Sequence, residues 1–354
     1  MIFLKKIFSF LCLLCFLFPF SVGADSSASS IVMDLDSGRV LYEHDAYKKS
    51  LIASTTKIMT AIVAIENGHL NKKVTVGNEV LSMYGTNIYV EVGEEMRLID
   101  LLYGLLLRSG NDASVVIAKA VAGSEDKFVN MMNDKAKQLG MTNTVFQNPH
   151  GLDENTENHS TAYDMALLSR YAYGNKIYRK IVSTNKYEVS TGEKTYLWYN
   201  RNQLLNSYKY CTGGKNGYTP RAGKTLVTTA SKENLDLTIV SLNDDDTYNN
   251  HQNLYEKIFS KYHNYTIIDK DKFCVENNLS LKNAYIKQSF NYPLTDVEVK
   301  HVTTMLHLYT GETADKIGVI KVYLYNDEIG KVYIFKQEKK KEKISFLEWL
   351  KNLF

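Results

Sequence analysis

Apolar and polar positions alternate in several distinct ways along the chain, and each pattern predicts a different element. Residues 7–20 are almost wholly apolar behind Lys5 and Lys6, and Val22-Gly23-Ala24 then supplies small residues. This is the layout of a secretion leader, too short for a membrane span, with cleavage expected after Ala24. Ile58, Met59, Ile62, Val63 and Ile65 recur at helical spacing from Ser54 to a stop at Gly68. Leu98, Leu102, Leu105 and Leu106 mark a second helix, with Gly110 expected to end it and Asp112 to cap the next. Further helices are expected over 124–139, 161–173 and 248–262. Runs over 30–34 and 39–42 read as strands around an Asp-Ser-Gly turn, and those over 226–230 and 235–242 as adjacent strands joined by Ser231-Lys-Glu-Asn. Strands at both ends with helices between predict an α+β domain built on an antiparallel sheet, over residues 25–267.

The texture changes near Thr266. Short β-rich runs such as Glu298-Val-Lys-His-Val and Val319-Ile-Lys-Val-Tyr-Leu-Tyr follow, with turns expected at Asn326-Asp327 and Glu328-Ile329-Gly330. They predict a small β-sandwich-like accessory domain over 268–335. In residues 336–354, Phe346, Leu347, Trp349, Leu350, Leu353 and Phe354 fall on one arc of a helix, next to Lys339, Lys340 and Lys341. Such a segment suits a helix lying in the membrane interface, with docking on the protein's own surface as the alternative.

Charge and cysteine content narrow the class. Without Lys5 and Lys6 of the leader the chain carries 40 basic and 39 acidic residues. That balance, with no recognisable binding motif, argues against a nucleic-acid partner. Cys12 and Cys15 lie in the leader, so only Cys211 and Cys274 remain, too few for a disulfide scaffold. His44, His69, His150 and His159 occur singly, without H-E-x-x-H spacing. A structural metal is not expected.

The candidate chemistry starts at Ser54-Thr55-Thr56-Lys57. On a helix, positions three apart share a face with Cβ atoms roughly 5–6 Å apart. A partly desolvated amine held there loses basicity and can take the serine proton. Ser109-Gly110-Asn111 and Lys215-Asn216-Gly217 follow in order, offering a second hydroxyl, an amide and a second cation. Each motif alone is weak. Ser183-Thr184-Asn185-Lys186 repeats S-x-x-K, and S-x-N recurs at Ser183, Ser241 and Ser289. The Ser183 copy reads as a strand or a strand with a turn, where i and i+3 face apart. Ser54 has a structural reading too, as a helix N-cap.

Taken together, the three motifs behind a secretion leader resemble the serine D-alanyl-D-alanine carboxypeptidases, the low-molecular-weight penicillin-binding proteins. Ala53-Ser-Thr-Thr-Lys-Ile-Met-Thr-Ala, Leu106-Leu-Arg-Ser-Gly-Asn-Asp-Ala, Asn148-Pro-His-Gly-Leu-Asp, Ser160-Thr-Ala-Tyr-Asp-Met-Ala, Asn200-Arg-Asn-Gln-Leu-Leu and Gly214-Lys-Asn-Gly-Tyr-Thr all fit that family. The resemblance implies a β-lactamase/transpeptidase-like fold, an accessory domain and a membrane anchor. It implies an exported enzyme, acting at the outer face of the membrane on peptidoglycan stem peptides without metal or cofactor, and acylated by β-lactams. Ser54 would be the nucleophile and Lys57 its base. Ser109 would relay a proton to the leaving D-alanine, and Asn111 would orient Lys57 and hold the substrate amide. Lys215 would attract the terminal carboxylate, with Asn216, Gly217, Tyr218 and Thr219 completing the substrate strand. The backbone N–H groups of Ser54 and Tyr218 would form the oxyanion hole. Asn216 stands where the family has threonine, and Thr219 is the nearby hydroxyl that remains to serve the carboxylate. A secreted serine β-lactamase, a crosslink endopeptidase and a catalytically impaired wall-binding protein are the competing functions.

Overall fold

The computed structural model describes residues 27–192, 194–274, 284–309 and 316–336. The expected leader, and the tail past Lys336, therefore lie outside the described residues. Along the chain the elements are β1 (Ser29–Asp34), β2 (Val40–His44), β3 (Ser50–Leu51), α1 (Lys57–Asn67), β4 (Lys73–Thr75), β5 (Glu95–Arg97), α2 (Leu98–Tyr103), α3 (Asn111–Ala122), α4 (Glu125–Gln138) and β6 (His159–Ser160). There follow α5 (Ala162–Gly174), α6 (Lys176–Val182), β7 (Lys186–Thr191), β8 (Lys194–Tyr199), α7 (Leu204–Ser207), β9 (Cys211–Thr219), β10 (Gly223–Lys232), β11 (Leu235–Leu242) and α8 (Thr247–Lys261). The last strands are β12 (His263–Ile268), β13 (Ala284–Ile286), β14 (Phe290–Leu294), β15 (Val302–Leu308), β16 (Lys316–Leu324) and β17 (Asp327–Lys336). Contacts divide the described chain into two units. The first holds residues 27–32, 42–228 and 239–254, and the second holds 33–41, 229–238 and those from 255 on.

The main sheet has five strands in the order β2-β1-β11-β10-β9. Its hairpins form where the sequence supplies turn chemistry. Asp34 Oδ2 accepts from the Ser37 backbone N–H at 2.7 Å and the Ser37 hydroxyl at 2.5 Å, and Gly38 takes a φ of 79°. Between β10 and β11, Glu233 and Asn234 both have positive φ, 52° and 62°, the requirement of a two-residue turn matched to strand twist.

In the first unit α1 is the central helix. Every residue from Lys57 to Ile65 is buried, and it packs against α3, α4 and α5. An amphipathic surface helix would show only a stripe; one buried all round sits inside a helical layer. The Ser124 and Thr161 hydroxyls cap α4 and α5 by accepting from the backbone N–H groups of Lys127 and Asp164.

Two helix ends differ from expectation. The helix into Ser109 widens into a π turn (Gly104–Arg108), and Ser109 itself, not Gly110, adopts the left-handed conformation that stops it, at φ 70°. Gly110 is needed for space: a Cβ there would lie 2.9 Å from both Ile88 Cγ2 and Asp112 Oδ1. Asp112 lies in the first turn of α3, with Gly110 as the N-cap. Its carboxylate instead gathers the backbone N–H groups of Ile88, Tyr89 and Val90.

In the second unit β12 pairs with β14, and a four-stranded sheet runs β13-β17-β16-β15. Ile268, Ile286, Val322, Val332 and Ile334 form the buried core. Glu298–His301 is a 3₁₀ turn where a strand was expected. The cause is a reciprocal capping box, in which Thr295 N–H donates to Glu298 Oε2 at 2.9 Å and Glu298 N–H to Thr295 Oγ1 at 3.2 Å. Glu328-Ile329-Gly330 lies within β17, not in a turn; the hairpin turn is Tyr325-Asn326, with φ 56° at Tyr325, so of the expected Asn326-Asp327 only Asn326 falls in it. Gly330 serves close packing, since a Cβ would fall 2.2 Å from the Phe290 ring.

Candidate active site

Ser54 lies in a one-turn 3₁₀ helix, Ala53–Thr56, running directly into α1. It is not an N-cap: Ile52 and Thr56 hold those positions, and neither makes a side-chain cap bond. The preceding Ala53 has φ 45°, a backbone state costing a non-glycine residue about 1–3 kcal/mol. Close packing holds it there. A Cβ on Gly151 would lie 2.0 Å from the Ala53 carbonyl oxygen, and one on Gly217 2.7 Å from the Ser54 nitrogen. The loop after α4 and strand β9 thus both press on the nucleophile's backbone, and each needs glycine to do so.

Lys57 Nζ is fully buried with three oxygen neighbours: Asn111 Oδ1 at 2.8 Å, the His150 carbonyl at 2.6 Å and Ser54 Oγ at 3.0 Å. Amide and backbone oxygens can only accept, so they claim two amine hydrogens. The third direction points at Ser54 Oγ: a hydrogen when Lys57 is charged, a lone pair when it is neutral. Burial first, then the Lys215 charge, hold the Lys57 pKa well below its usual value; Asp112 opposes this and Arg201 adds to it. The neutral amine that can receive the Ser54 proton is thereby favoured.

The supports of Lys57 converge from three segments. Asn111 Nδ2 donates to the Tyr84 carbonyl at 2.7 Å, fixing which amide oxygen faces the lysine. Asn148 Oδ1 accepts from the His150 and Gly151 N–H groups, shaping the loop that presents the His150 carbonyl. Thr60 Oγ1 donates to the Pro149 carbonyl at 2.6 Å, and Asn158 Nδ2 to Thr56 Oγ1 at 2.9 Å. The His150 ring is not the base: burial and the Lys57 charge push its pKa down to about 3, and its Nδ1 accepts from Leu152 N–H at 3.1 Å.

Ser109 is buried, and its hydroxyl makes no hydrogen bond among the described residues. Lys215 is buried on β9 and meets no carboxylate there; its Nζ donates to the Asn216 carbonyl at 2.6 Å. Burial, then the Arg201 charge, lower its pKa to about 7. Asn216 is half-buried and Tyr218 is 65% exposed. Thr219 is committed elsewhere: its hydroxyl donates to Asp153 Oδ2 at 2.6 Å and accepts from Ala222 N–H at 3.0 Å. The expectation that Thr219 stands free to replace the missing threonine is therefore corrected.

Ser183, the decoy, ends α6 and donates to the Lys180 carbonyl at 3.2 Å. That is a helix C-cap in the turn just before β7, so the expected strand begins only at Lys186. Arg201, Asp153 and the His150 carbonyl escaped the motif reading. Among the described residues no group of three or more His, Cys, Asp or Glu could hold a metal.

A sequence model of the D-alanyl-D-alanine carboxypeptidase family, Peptidase S11, matches residues 21–246. D-alanyl-D-alanine carboxypeptidase DacF of Bacillus subtilis is 38% identical over 60% of this chain and 56% of its own length. The chain thus matches a little over half of such curated relatives. Among solved structures, a D-alanyl-D-alanine carboxypeptidase of Mycobacterium tuberculosis is 31% identical, covers 69% of this chain and 95% of its own, and has a TM-score of 0.65. Penicillin binding protein 5 of Haemophilus influenzae, 22% identical, shares the fold over 90% of this chain and 98% of its own, with a TM-score of 0.74. With three motifs in order, an α+β fold in common and a family match over most of the described first unit, the chain belongs to the D-alanyl-D-alanine carboxypeptidase family, Peptidase S11.

Proposed function

We propose that this protein removes the terminal D-alanine from peptidoglycan stem peptides through an acyl-enzyme on Ser54. The observation carrying this is the third direction of the Lys57 amine, aimed at Ser54 Oγ while two carbonyl oxygens occupy the others. Ser54 Oγ attacks the carbonyl of the penultimate D-alanine, and its proton passes to Lys57. The tetrahedral oxyanion is stabilised by the backbone N–H groups of Ser54 and Tyr218, a contribution commonly worth 10²–10³ in rate per donor. Ser109 relays the proton held by Lys57 to the departing amine, the C–N bond breaks and D-alanine leaves. Water then attacks the ester, returning Ser54. A β-lactam acylates the same oxygen and, with no separate leaving group, is held at the ester stage.

Lys215 and Arg201 supply positive potential for the substrate carboxylate, and each contributes to the suppressed basicity of Lys57. Asn216 takes the family threonine's place beside them, donating through an amide rather than a hydroxyl. The same reading includes export behind residues 1–24 and interfacial anchoring by 336–354. The competing reading, a catalytically inert wall-binding protein, rests on Asn216; the intact Ser54–Lys57–Asn111 hydrogen-bond chain favours activity. Release of D-alanine from a pentapeptide by the wild type, and its loss in Ser54→Ala, tests the proposal. Activity persisting in Ser54→Ala would sink it.

A further inference from the structure

The sheet β13-β17-β16-β15 has one face on the second unit's core and one away from it. Antiparallel register decides which residues share the outer face, because directly opposed side chains point the same way. Tyr285 lies opposite Phe335, Tyr333 opposite Val319, and Lys331 opposite Lys321, which on its other side faces Met305. Phe335 and Val319 are themselves buried, so the accessible part of this face is Tyr285, half-buried Tyr333, Met305 and the lysines. The alternating positions Ile286, Val322, Val332 and Ile334 belong to the buried cluster.

This outer face is both aromatic and basic. Lys287 Nζ lies 4.2 Å from the Phe335 ring centroid and Lys316 Nζ 4.3 Å from that of Tyr333. Of Lys287, Lys316, Lys321 and Lys331, only Lys321 has a carboxylate partner among the described residues, Glu328 at 2.8 Å. The whole chain is nearly balanced, with 42 basic and 39 acidic residues, so four lysines against one glutamate is a local concentration. Apolar groups stand among them in solvent: Met305 is 59% exposed and Tyr285 40%.

We propose that this face docks on an anionic membrane surface. Lysines would lie against lipid phosphates, while the tyrosines and Met305 sit at headgroup depth, where rings with one polar end are favoured. Continuity of the chain selects a membrane over a soluble polyanion. Strand β17 ends at Lys336, and in sequence it is followed by 337–354, the basic and apolar stretch assigned above to the interface under the proposed function. A tether leaving the sheet itself spans at most about 3.5 Å per residue, so a bound tail holds the sheet within reach of the same headgroups. The docking face adds to that anchor and is tested apart from it.

The test is co-sedimentation of the full chain without its leader with vesicles of phosphatidylcholine alone, or with 30% phosphatidylglycerol. Two variants are compared, Lys287→Gln/Lys316→Gln/Lys321→Gln/Lys331→Gln in the sheet and Trp349→Ser/Leu350→Ser in the tail. Each lysine near an anionic surface is worth about fivefold in partitioning, and Glu328 remains in the variant, so the face loses all four charges. The sheet variant should therefore lose on the order of 600-fold on anionic vesicles and nothing on neutral ones. The tail variant should weaken on both while keeping its preference for anionic lipid. A sheet variant within twofold of wild type on anionic vesicles overturns the proposal. An unchanged tail variant instead overturns the anchor reading and leaves this face standing. If soluble polyglycerol phosphate binds the wild type through these lysines while their loss leaves vesicle binding intact, the face reads a wall polymer and the membrane assignment falls. Circular dichroism checks folding; should the quadruple variant unfold, Lys316→Gln/Lys331→Gln serves, with about a 25-fold loss expected.

Discussion

Lys215 carries the sharpest prediction. Burial and Arg201 lower its pKa from the ordinary 10.5 to about 7. A shift of about 3.5 units disfavours the ammonium by about 5 kcal/mol at 1.36 kcal/mol per unit. In the free enzyme Lys215 is thus cationic below about pH 7 and mostly neutral above it. A substrate carboxylate beside it restores the cation, because an opposite charge raises the pKa again. The pH profile of kcat/KM reports groups of the free enzyme and that of kcat those of the complex. D-alanine release from a pentapeptide should therefore show kcat/KM falling about 50-fold between pH 7 and 9. Over that range kcat should stay flat. Lys57 imposes the opposite limb: it must be neutral to accept the Ser54 proton, so activity falls as the pH drops through its lowered pKa. A substrate whose terminal carboxylate is capped as an amide should lose the alkaline limb. A kcat/KM that stays level from pH 7 to 9 with the free carboxylate substrate would refute the assignment of Lys215 as its anchor.

Other outcomes follow from close contacts and buried bonds. Gly217→Ala pushes a methyl to within 2.7 Å of the Ser54 nitrogen and 2.5 Å of Thr225 Oγ1; acylation by a fluorescent penicillin should fall at least 100-fold while the melting temperature shifts little. Thr219→Val leaves the Asp153 carboxylate and the Ala222 N–H without their partner, costing about 1–3 kcal/mol for each buried group left unpaired, readable as a lower melting temperature. Asn216→Thr restores the family hydroxyl and should change KM or β-lactam affinity; unchanged acylation and D-alanine release would show that position to be neutral. A chain ending at Phe335 should become soluble, and continued sedimentation with membranes would remove the tail from the anchoring account.

How legible the protein was depends on what each residue contributes. The helix behind Ser54 was plain from its apolar spacing, and the Lys57–Ser54 contact follows from that helix. The left-handed Ser109 was not, because Gly110 is the commoner helix stop and nothing local reveals that Ile88 fills the space beside it. The sequence around Ser183 reads as a strand or a strand with a turn because Lys186–Thr191 does form a strand; the serine itself caps the helix before it. The His150 carbonyl left no side-chain signature, since any residue carries that oxygen. Its only trace was the run Asn148-Pro-His-Gly-Leu-Asp, whose Gly151 has φ 90° and no room for a Cβ. Thr219 looked available because its partner, Asp153, is 66 residues away in sequence. Side-chain identity was readable locally; the bonds that commit those side chains arise only when distant segments meet.

The central claim is that the amine of Lys57 activates Ser54 for acylation. Intact mass measurement after exposure to benzylpenicillin, with peptide mapping, addresses it directly. The account predicts one penicilloyl adduct, located on Ser54, absent in Ser54→Ala and formed at least 100-fold more slowly in Lys57→Ala. No adduct on the wild type, an adduct on another residue, or undiminished acylation in Lys57→Ala would contradict it.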